Sequence, residues 1–249
     1  MEHGGSGTAE APSGEYEQYL RDEWALFDRD PSRVESARAA AAGISLTRVL
    51  DVGCGAGQEL RPFLRDHTTL GVGLDISPQV ARVGRELFAR AQPHSRVAFV
   101  RGAAEALPFD ASCFDLIVCR LALPYTHNAM ALSEIARVLR PGGVLLLKYH
   151  HVRYYTRELR DALVAMNVKA AIHAIRVMAA GCLYHVTGTQ PRFWLTGSET
   201  FQSMWLLRRE LGRRGLQIRQ LLADSVPAAP NLVIVRQRGG DREALGERE

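Results

Sequence analysis

The residues VLDVGCGAG at positions 49–57 decide the fold of this 249-residue chain. An apolar run that contains Asp51 ends in three alternating glycines, Gly53, Gly55 and Gly57, so a buried strand is predicted to run into a sharp turn. Glycine permits positive φ and leaves no Cβ between the backbone and a ligand. Because the N-terminus of a following helix can receive polar ligand groups, the pattern favours a bound nucleoside at this turn.

Six further short runs are rich in apolar and β-branched residues and are separated by helical stretches. We predict strands at Arg48–Val52, Leu70–Asp75, Val97–Arg101, Phe114–Cys119, Val144–Tyr149, Leu216–Leu222 and Leu232–Arg236. The run Val144–Leu147 lacks the alternation of a sheet that faces water on one side. The sequence therefore predicts an α/β fold with a parallel, doubly wound sheet, in which the last two strands form an antiparallel pair.

The segments outside the strands define the expected domain organisation. Residues 1–14 and 239–249 are too polar to order themselves and are predicted to be disordered tails, so 15–238 forms a single domain. An aromatic stripe places an N-terminal helical cover at 15–45. A helical lid insertion is expected at 152–196, with breaks at Gly181, Gly188 and Pro191, before a crossover helix at Glu199–Leu211.

Composition limits the classes of protein to consider. Hydrophobic residues make up 47% of the chain and charged residues 23%, as in soluble globular proteins. No apolar run reaches the length of a membrane span and no secretory signal is present, so a cytoplasmic protein without a membrane span is expected. The four cysteines show no metal or disulfide spacing. Only two of the 31 basic residues are Lys, so the net charge of +4 does not favour a nucleic-acid partner.

Two further turns accompany the glycine-rich one. Asp75 ends the second predicted strand, where a carboxylate can accept hydrogen bonds from both ribose hydroxyls. The apolar side chain of Ile76 follows and can lie against a flat adenine face. The stretch 101–109, RGAAEALPF, would close on the edge of the purine.

The segments DVGCGAGQ, GLDIS, GAAEALPF, FDLIVC and RVLRPGG, in this order and spacing, resemble the class I S-adenosylmethionine-dependent methyltransferases, in their small-molecule, ubiquinone/menaquinone-type branch. The resemblance spans about residues 24–149. It implies a Rossmann-like, seven-stranded, mostly parallel sheet with one antiparallel strand, helices on both faces and a helical insertion before the C-terminal strands. It also implies S-adenosyl-L-methionine as cofactor.

The resemblance also implies which residues hold the cofactor. They are Asp51, Gly53, Cys54, Gly55, Gly57, Gln58, Asp75, Ile76, Ala103, Ala104, Glu105, Cys119 and Arg120. Family members often have an acid that reaches the adenine amine where this chain has Ala103. Adenine recognition is therefore expected to fall to the backbone or to Glu105.

Candidates for catalysis and acceptor binding follow the fourth and fifth strands. His150 or His151 is the expected general base, because an imidazole titrates near neutral pH. Seven side chains are expected to bind the acceptor: Tyr16, Tyr19, Trp24, Tyr125, His127, Tyr154 and Tyr155. No acidic ligand accompanies His127, His150, His151 and Cys119, so no metal site is predicted.

Methyl transfer to a small molecule is the predicted function, and three alternatives remain. A nicotinamide-dependent oxidoreductase of similar fold would have GxGxxG, whereas here the third glycine comes one residue early and Gln58 takes the sixth position. A methyltransferase acting on RNA or protein, or a module that lost its chemistry, would keep the same turns. The sequence specifies neither the acceptor and its methylated atom nor the oligomeric state.

Overall fold

The seven predicted strands lie in one sheet in the order β3-β2-β1-β4-β5-β7-β6. Their bounds are β1 Arg48–Val52, β2 Leu70–Asp75, β3 Arg96–Arg101, β4 Phe114–Arg120, β5 Leu139–Lys148, β6 Leu216–Leu222 and β7 Asn231–Arg236. Strands β3, β2, β1, β4 and β5 are parallel to one another, and β7 is antiparallel to both β5 and β6. The predicted, mostly parallel sheet with one antiparallel strand is confirmed.

The computed structural model describes residues 13–64, 68–191, 199–222 and 229–238. The predicted C-terminal tail and residues 1–12 of the predicted N-terminal tail lie outside these ranges. Residues Ser13 and Gly14, which the sequence assigned to that tail, are the first residues of a helix.

Seven helices flank the sheet in the described parts of the chain. They are α1 Ser13–Phe27, α2 Pro31–Ala41, α3 Val80–Ala91, α4 Asn128–Val138, α5 Val152–Val164, α6 Val168–Thr187 and α7 Met204–Gly212. Short 3₁₀ helices follow β1 at Gln58–Phe63 and β4 at Leu123–Tyr125. No described helix is long and apolar enough to cross a membrane.

Both faces of the central strands β1, β4 and β5 are buried, which explains why β5 lacks alternation. Leu145 and Leu147 belong to the core on one face, where α4 and α7 pack, and Val144 and Leu146 belong to the core on the other, where α1 to α3 pack. Successive side chains of a strand point to opposite faces, so a strand covered on both sides is apolar throughout.

Two predicted boundaries differ from the structure by five residues, and several others by one. The start of β5 is at Leu139 instead of Val144, because the stretch predicted as a turn lies within the strand and shifts its register against β4. The crossover helix α7 starts at Met204 instead of Glu199. Ser203 caps it by accepting a hydrogen bond on Oγ from the N–H of Leu206 at 3.2 Å, and such a cap fixes where a helix begins.

Helix α1 packs its apolar row onto the domain. Leu20, Trp24 and Phe27 are buried, and the Trp24 ring meets Phe88 of α3 edge-on with centroids 5.0 Å apart. The guanidinium of Arg61 lies 4.6 Å from the centre of the Trp24 ring. Aromatic anchors of this kind bury much apolar area, so α1 is firmly docked.

Helices α5 and α6 occupy the region predicted as a helical insertion. Gly188 ends α6 with a φ of 71°, as a left-handed C-cap does. The expected break at Gly181 is wrong, because α6 continues through it. A Cβ at Gly181 would stand 2.2 Å from a ring atom of buried Phe201, so this glycine permits close packing and does not interrupt the helix.

We expect Gly181→Ala to lower the free energy of unfolding by about 1–2 kcal/mol, because overpacking against Phe201 outweighs the better helix propensity of alanine. Gly212→Ala is the matched control, since no atom lies within 4 Å of the place that a Cβ would take at that helical glycine; its stability should be unchanged or slightly higher. Urea unfolding of both variants is the measurement. Equal stability of the two variants would show that Phe201 does not pack against Gly181.

Candidate functional site

The glycine turn after β1 bends back onto the end of β2. The N–H groups of Gly53 and Cys54 both donate to the carbonyl of Leu74, at 2.8 and 3.1 Å. Gly53, Gly55 and Gly57 all have positive φ. A Cβ at Gly53 would lie 2.3 Å from the Cβ of Ala122, so the turn excludes side chains for steric as well as conformational reasons.

Asp75 joins this turn to the one after β2. Its Oδ2 accepts from the N–H of Gly55 at 3.1 Å and its Oδ1 accepts from the N–H of Ser77 at 2.9 Å. Burial raises the pKa of the Asp75 carboxyl, and the N–H groups of Ser77, Gly55 and Ile76 oppose that rise. Each carboxylate oxygen has a further lone pair, so Asp75 can still accept from a ligand.

The third turn lies beside Asp75, since the N–H of Gly102 donates to the Asp75 carbonyl at 2.9 Å. Ile76 is 71% exposed at the edge of these turns. Ala104 is buried and Ala103 partly so. The Glu105 carboxylate accepts from the N–H of His127 at 2.8 Å, so this side chain orders the loop after β4.

Buried polar atoms without partners lie at the end of β1. Asp51 Oδ2 and Gln58 Oε1 accept no hydrogen bond from a described residue. Burial raises the pKa of Asp51 well above its usual value, the Glu59 and Asp75 carboxylates raise it further, and Arg120 lowers it. Buried polar atoms are normally satisfied, so atoms left over at a glycine turn fit a ligand that supplies donors.

Arg120, predicted to bind cofactor, belongs to an ion-pair network that the sequence did not reveal. Its Nε lies 3.2 Å from Glu59 Oε1, and Arg33 of α2 lies 3.4 Å from the same oxygen. Arg33 also pairs with Glu23 of α1 at 3.1 Å. The network ties α1, α2 and β4 to the 3₁₀ helix that follows the glycine turn.

The cysteines predicted at the cofactor site are buried in the core. Cys54 and Cys119 belong to the two hydrophobic clusters on opposite faces of the sheet. Burial raises the pKa of both thiols, that of Cys119 to about 12. Neither is a thiolate at neutral pH, so both side chains contribute to packing. The backbone N–H of Cys54 also takes part in the glycine turn.

Helix α1 covers the glycine turn. A Cβ at Gly55 would lie 3.5 Å from Leu20 Cδ2. The ring of Tyr16 stacks on Tyr19 with centroids 5.9 Å apart, and the pKa of Tyr16 is raised by burial and by the nearby Asp75 carboxylate. Tyr19 is exposed. Trp24 is the anchor described above, so of the three aromatic residues Tyr16 lies closest to the predicted cofactor acid.

Two of the predicted histidines are helix caps. The Nδ1 of His127 accepts from the N–H of Met130 at 3.4 Å, and the Nδ1 of His151 accepts from the N–H of Arg153 at 3.3 Å. They begin α4 and α5. Tyr125 is exposed in the short helix that precedes α4.

His150 is buried at the end of β5 among aromatic rings. It stacks on Tyr154 with ring centroids 3.9 Å apart and an angle of 1° between the planes. Its Nδ1 lies 3.4 Å from the hydroxyl oxygen of Tyr155, which donates to Glu199 Oε1 at 2.9 Å. Burial and the charge of Lys148 lower the pKa of His150 to about 4, so the imidazole is neutral at pH 7.

Glu199 is the functional candidate that the sequence missed. It is buried, with His173 Nε2 3.4 Å and Arg176 Nη2 3.9 Å from its Oε2. Burial raises the pKa of the Glu199 carboxyl, and the Tyr155 hydroxyl and Arg176 oppose that rise. No sequence spacing predicts a contact between Glu199 and α6. The sequence places Glu199 at the start of the crossover helix, but that helix, α7, begins at Met204.

The central part of the chain matches a known family. Residues 49–143 match a protein family that is described as a methyltransferase domain. This range contains the three turns, Asp75, the strands β2 to β4 and all of β1 except its first residue.

Curated relatives match over a similar range. A phthiotriol/phenolphthiotriol dimycocerosates methyltransferase of Mycobacterium ulcerans is 36% identical over 128 residues, which are 51% of this chain and 43% of the relative. A ubiquinone/menaquinone biosynthesis C-methyltransferase of Stutzerimonas stutzeri is 36% identical over 103 residues, 40% of each chain. The chain thus spans about two fifths of the length of the relatives that it matches.

A solved structure shows the same fold over a longer range. The YcgJ protein of Bacillus subtilis superposes with a TM-score of 0.56 at 18% identity, covering 84% of this chain and 99% of that one. In sequence, that uncharacterised methyltransferase is 36% identical over 105 residues, 42% of this chain and 41% of the relative. The match over residues 49–143 and the shared fold therefore support the resemblance to class I, S-adenosylmethionine-dependent methyltransferases of the small-molecule type.

Proposed function

We propose that this protein transfers a methyl group from S-adenosylmethionine to a small-molecule acceptor. The observation that carries the proposal is the contact of Asp75 with a glycine turn, in which each oxygen of its buried carboxylate accepts one hydrogen bond and keeps a lone pair for a ligand, at the same sheet edge as the buried His150. Methylation of O, N or C is compatible with the family. The relatives include, by name, a C-methyltransferase and an O-methyltransferase.

The residues at the turns fit the cofactor in a defined order. Asp75 holds the ribose hydroxyls, Ile76 and Ala104 flank the adenine, and Gly53 and Gly55 admit the methionine part beside the unpartnered Asp51 Oδ2. When bound, the cofactor would supply an electrophilic methyl group, whose bond to the sulfonium sulfur breaks, with the sulfur leaving as a neutral thioether, while the bond to the acceptor atom forms. The protein contributes mainly by holding that atom close and aligned.

His150 is the better of the two candidate bases. Tyr155 donates its single hydroxyl proton to Glu199, so its oxygen can only accept from His150 Nδ1. The proton of the neutral imidazole then lies on Nδ1, and the lone pair lies on Nε2, which makes no hydrogen bond to a described residue. His151 has its Nδ1 occupied as a cap. Glu199 and Tyr155 therefore position the base.

The low pKa of His150 bears on the class of acceptor. A weak base removes an acidic proton more readily than a weakly acidic one, so His150 suits a phenol or an enol better than an aliphatic alcohol. Tyr16, Tyr19, Tyr125 and Tyr154 offer apolar ring faces for such a planar acceptor. In this proposal the segment 15–45 and residues 152–191 of the predicted insertion form the walls of its site, and residues 192–196 of that insertion lie outside the described ranges.

The proposal is tested by calorimetric titration with S-adenosylhomocysteine, followed by transfer of an isotope-labelled methyl group to a panel of phenols and quinols. Binding of NAD in its place would identify an oxidoreductase. Labelling of RNA or of a protein would identify a macromolecular methyltransferase, and cofactor binding with no labelled product would indicate a module without catalysis.

We expect Asp75→Asn to weaken S-adenosylhomocysteine binding by about 2 kcal/mol, roughly thirtyfold, because charge-assisted hydrogen bonds to the ribose are lost. Asp161→Asn serves as control, since Asp161 is exposed on α5, and its affinity should match that of the wild type. Calorimetry gives both values. Unchanged affinity in Asp75→Asn would place the ribose elsewhere.

His150→Gln should lower kcat about a hundredfold or more with any acceptor found in the screen, while S-adenosylhomocysteine affinity stays unchanged. His151→Gln is the matched control and should retain most of the activity, because a helix cap is only weakened. Steady-state kinetics separate kcat from KM. Full turnover in His150→Gln would remove this residue from the mechanism.

The pH profile gives a third expectation. The basic form of a group exists above its pKa, and the pKa of His150 is lowered from 6.5 to about 4. As the pH falls, kcat should therefore drop to half its maximum near pH 4. With an unperturbed histidine as base, the same drop would occur near pH 6.5. A drop near pH 6.5 would assign the base to another histidine.

A further inference from the structure

The outer side of α6 is an apolar row. Val168, Ile172, Ile175, Leu183 and Val186 recur at helical steps and are all exposed, Val186 to 85%. The opposite side of the helix, which includes Ala174, Val177 and Tyr184, packs inward. A helix that is apolar on both sides normally has both sides covered.

The turn between α5 and α6 continues this row. Leu163, Val164 and Met166 are exposed, Met166 to 86%. We call the set Leu163, Val164, Met166, Val168, Ile172, Ile175, Leu183 and Val186 the hairpin stripe. Since α6 has 20 residues, the stripe extends about 30 Å along it. Contiguous exposed apolar surface of this kind marks an interaction site.

A basic row lies next to the stripe. Arg153, Arg157 and Arg160 follow one another at four- and three-residue steps on the exposed side of α5, and exposed Lys169 begins the outer side of α6. The two helices contain only two acids. Asp161 pairs with Arg160 at 2.9 Å, and Glu158 is half-buried beside Glu199. The exposed charge of the hairpin is therefore positive.

We propose that the hairpin of α5 and α6 docks on the surface of an anionic lipid bilayer, with the hairpin stripe in the boundary between headgroups and acyl chains and the basic row over the lipid phosphates. An apolar helix face flanked by Lys and Arg has the properties of an interfacial helix. In this proposal the hairpin lies on the bilayer surface. This proposal does not depend on methyl transfer.

Charge favours a lipid surface over a second copy of the chain. A two-fold interface built on the hairpin stripe would offer the basic row no free acid, because the two helices contain only Asp161, which pairs with Arg160, and the half-buried Glu158. Anionic headgroups supply the complementary charge along the whole row. A bilayer therefore complements both the apolar hairpin stripe and the basic row.

The full chain is tested by co-sedimentation with vesicles of phosphatidylglycerol and phosphatidylcholine in equal parts, and with phosphatidylcholine alone. We expect binding to the anionic vesicles, weakened at least tenfold by Met166→Asp and by the double change Arg153→Ala with Arg157→Ala, and reduced by salt. Aspartate tolerates the left-handed backbone of Met166. Leu221→Asp is the control, since Leu221 is 62% exposed on β6, and it should bind as the wild type does.

Thermal unfolding of each variant shows whether it remains folded, as expected for changes at exposed positions. Absence of wild-type binding to anionic vesicles would overturn the proposal, and so would equal loss in Met166→Asp and Leu221→Asp. A dimer detected by light scattering and abolished by Met166→Asp, without vesicle binding, would show that the stripe pairs two copies of the chain instead.

Discussion

The main chain and carboxylate of Asp75 hold together the three turns on which the site is built. Its Oδ2 accepts a hydrogen bond from the N–H of Gly55, and its Oδ1 accepts one from the N–H of Ser77. Its backbone carbonyl accepts a third from the N–H of Gly102. The turns after β1, β2 and β3 thus meet at one residue. The N–H groups stabilise the charged carboxylate and oppose the rise in its pKa that burial causes. In our proposal this carboxylate receives the hydroxyl groups of the ribose.

The strands were predictable where an apolar run has turn residues at its ends. β1, β2 and β6 have the predicted bounds because glycine or a charged residue marks their ends. Local signals failed where tertiary packing decides. β5 continues through a proline and two glycines because β4 pairs with it beyond the irregularity. Gly181 stays within α6 because the ring of Phe201 needs the room.

The site was predictable to the extent that it depends on continuous motifs. The glycine turn and Asp75 are local patterns, whereas the contacts of Glu199 with His173 and of Arg33 with Glu59 join separate segments and form only in the fold. The sequence also could not separate the histidines by role. His150 and His151 are neighbours after one strand, yet one is buried against Tyr155 and the other caps a helix. That difference arises because α5 begins directly after His151, which makes this residue the N-cap, whereas the side chain of His150 is buried.

The position of β7 has a consequence for how the chain is made. This strand pairs with β5 on one side and β6 on the other, and Asn231 at its start donates from Nδ2 to Ser36 Oγ of α2 at 2.7 Å, across 195 residues of sequence. During synthesis, the apolar edge of β5 leaves the ribosome long before its partner exists. Nascent chains must hold that edge unpaired until the last strand arrives, a state in which strand edges are prone to aggregate. Chains that end before residue 231 would retain this exposed edge permanently.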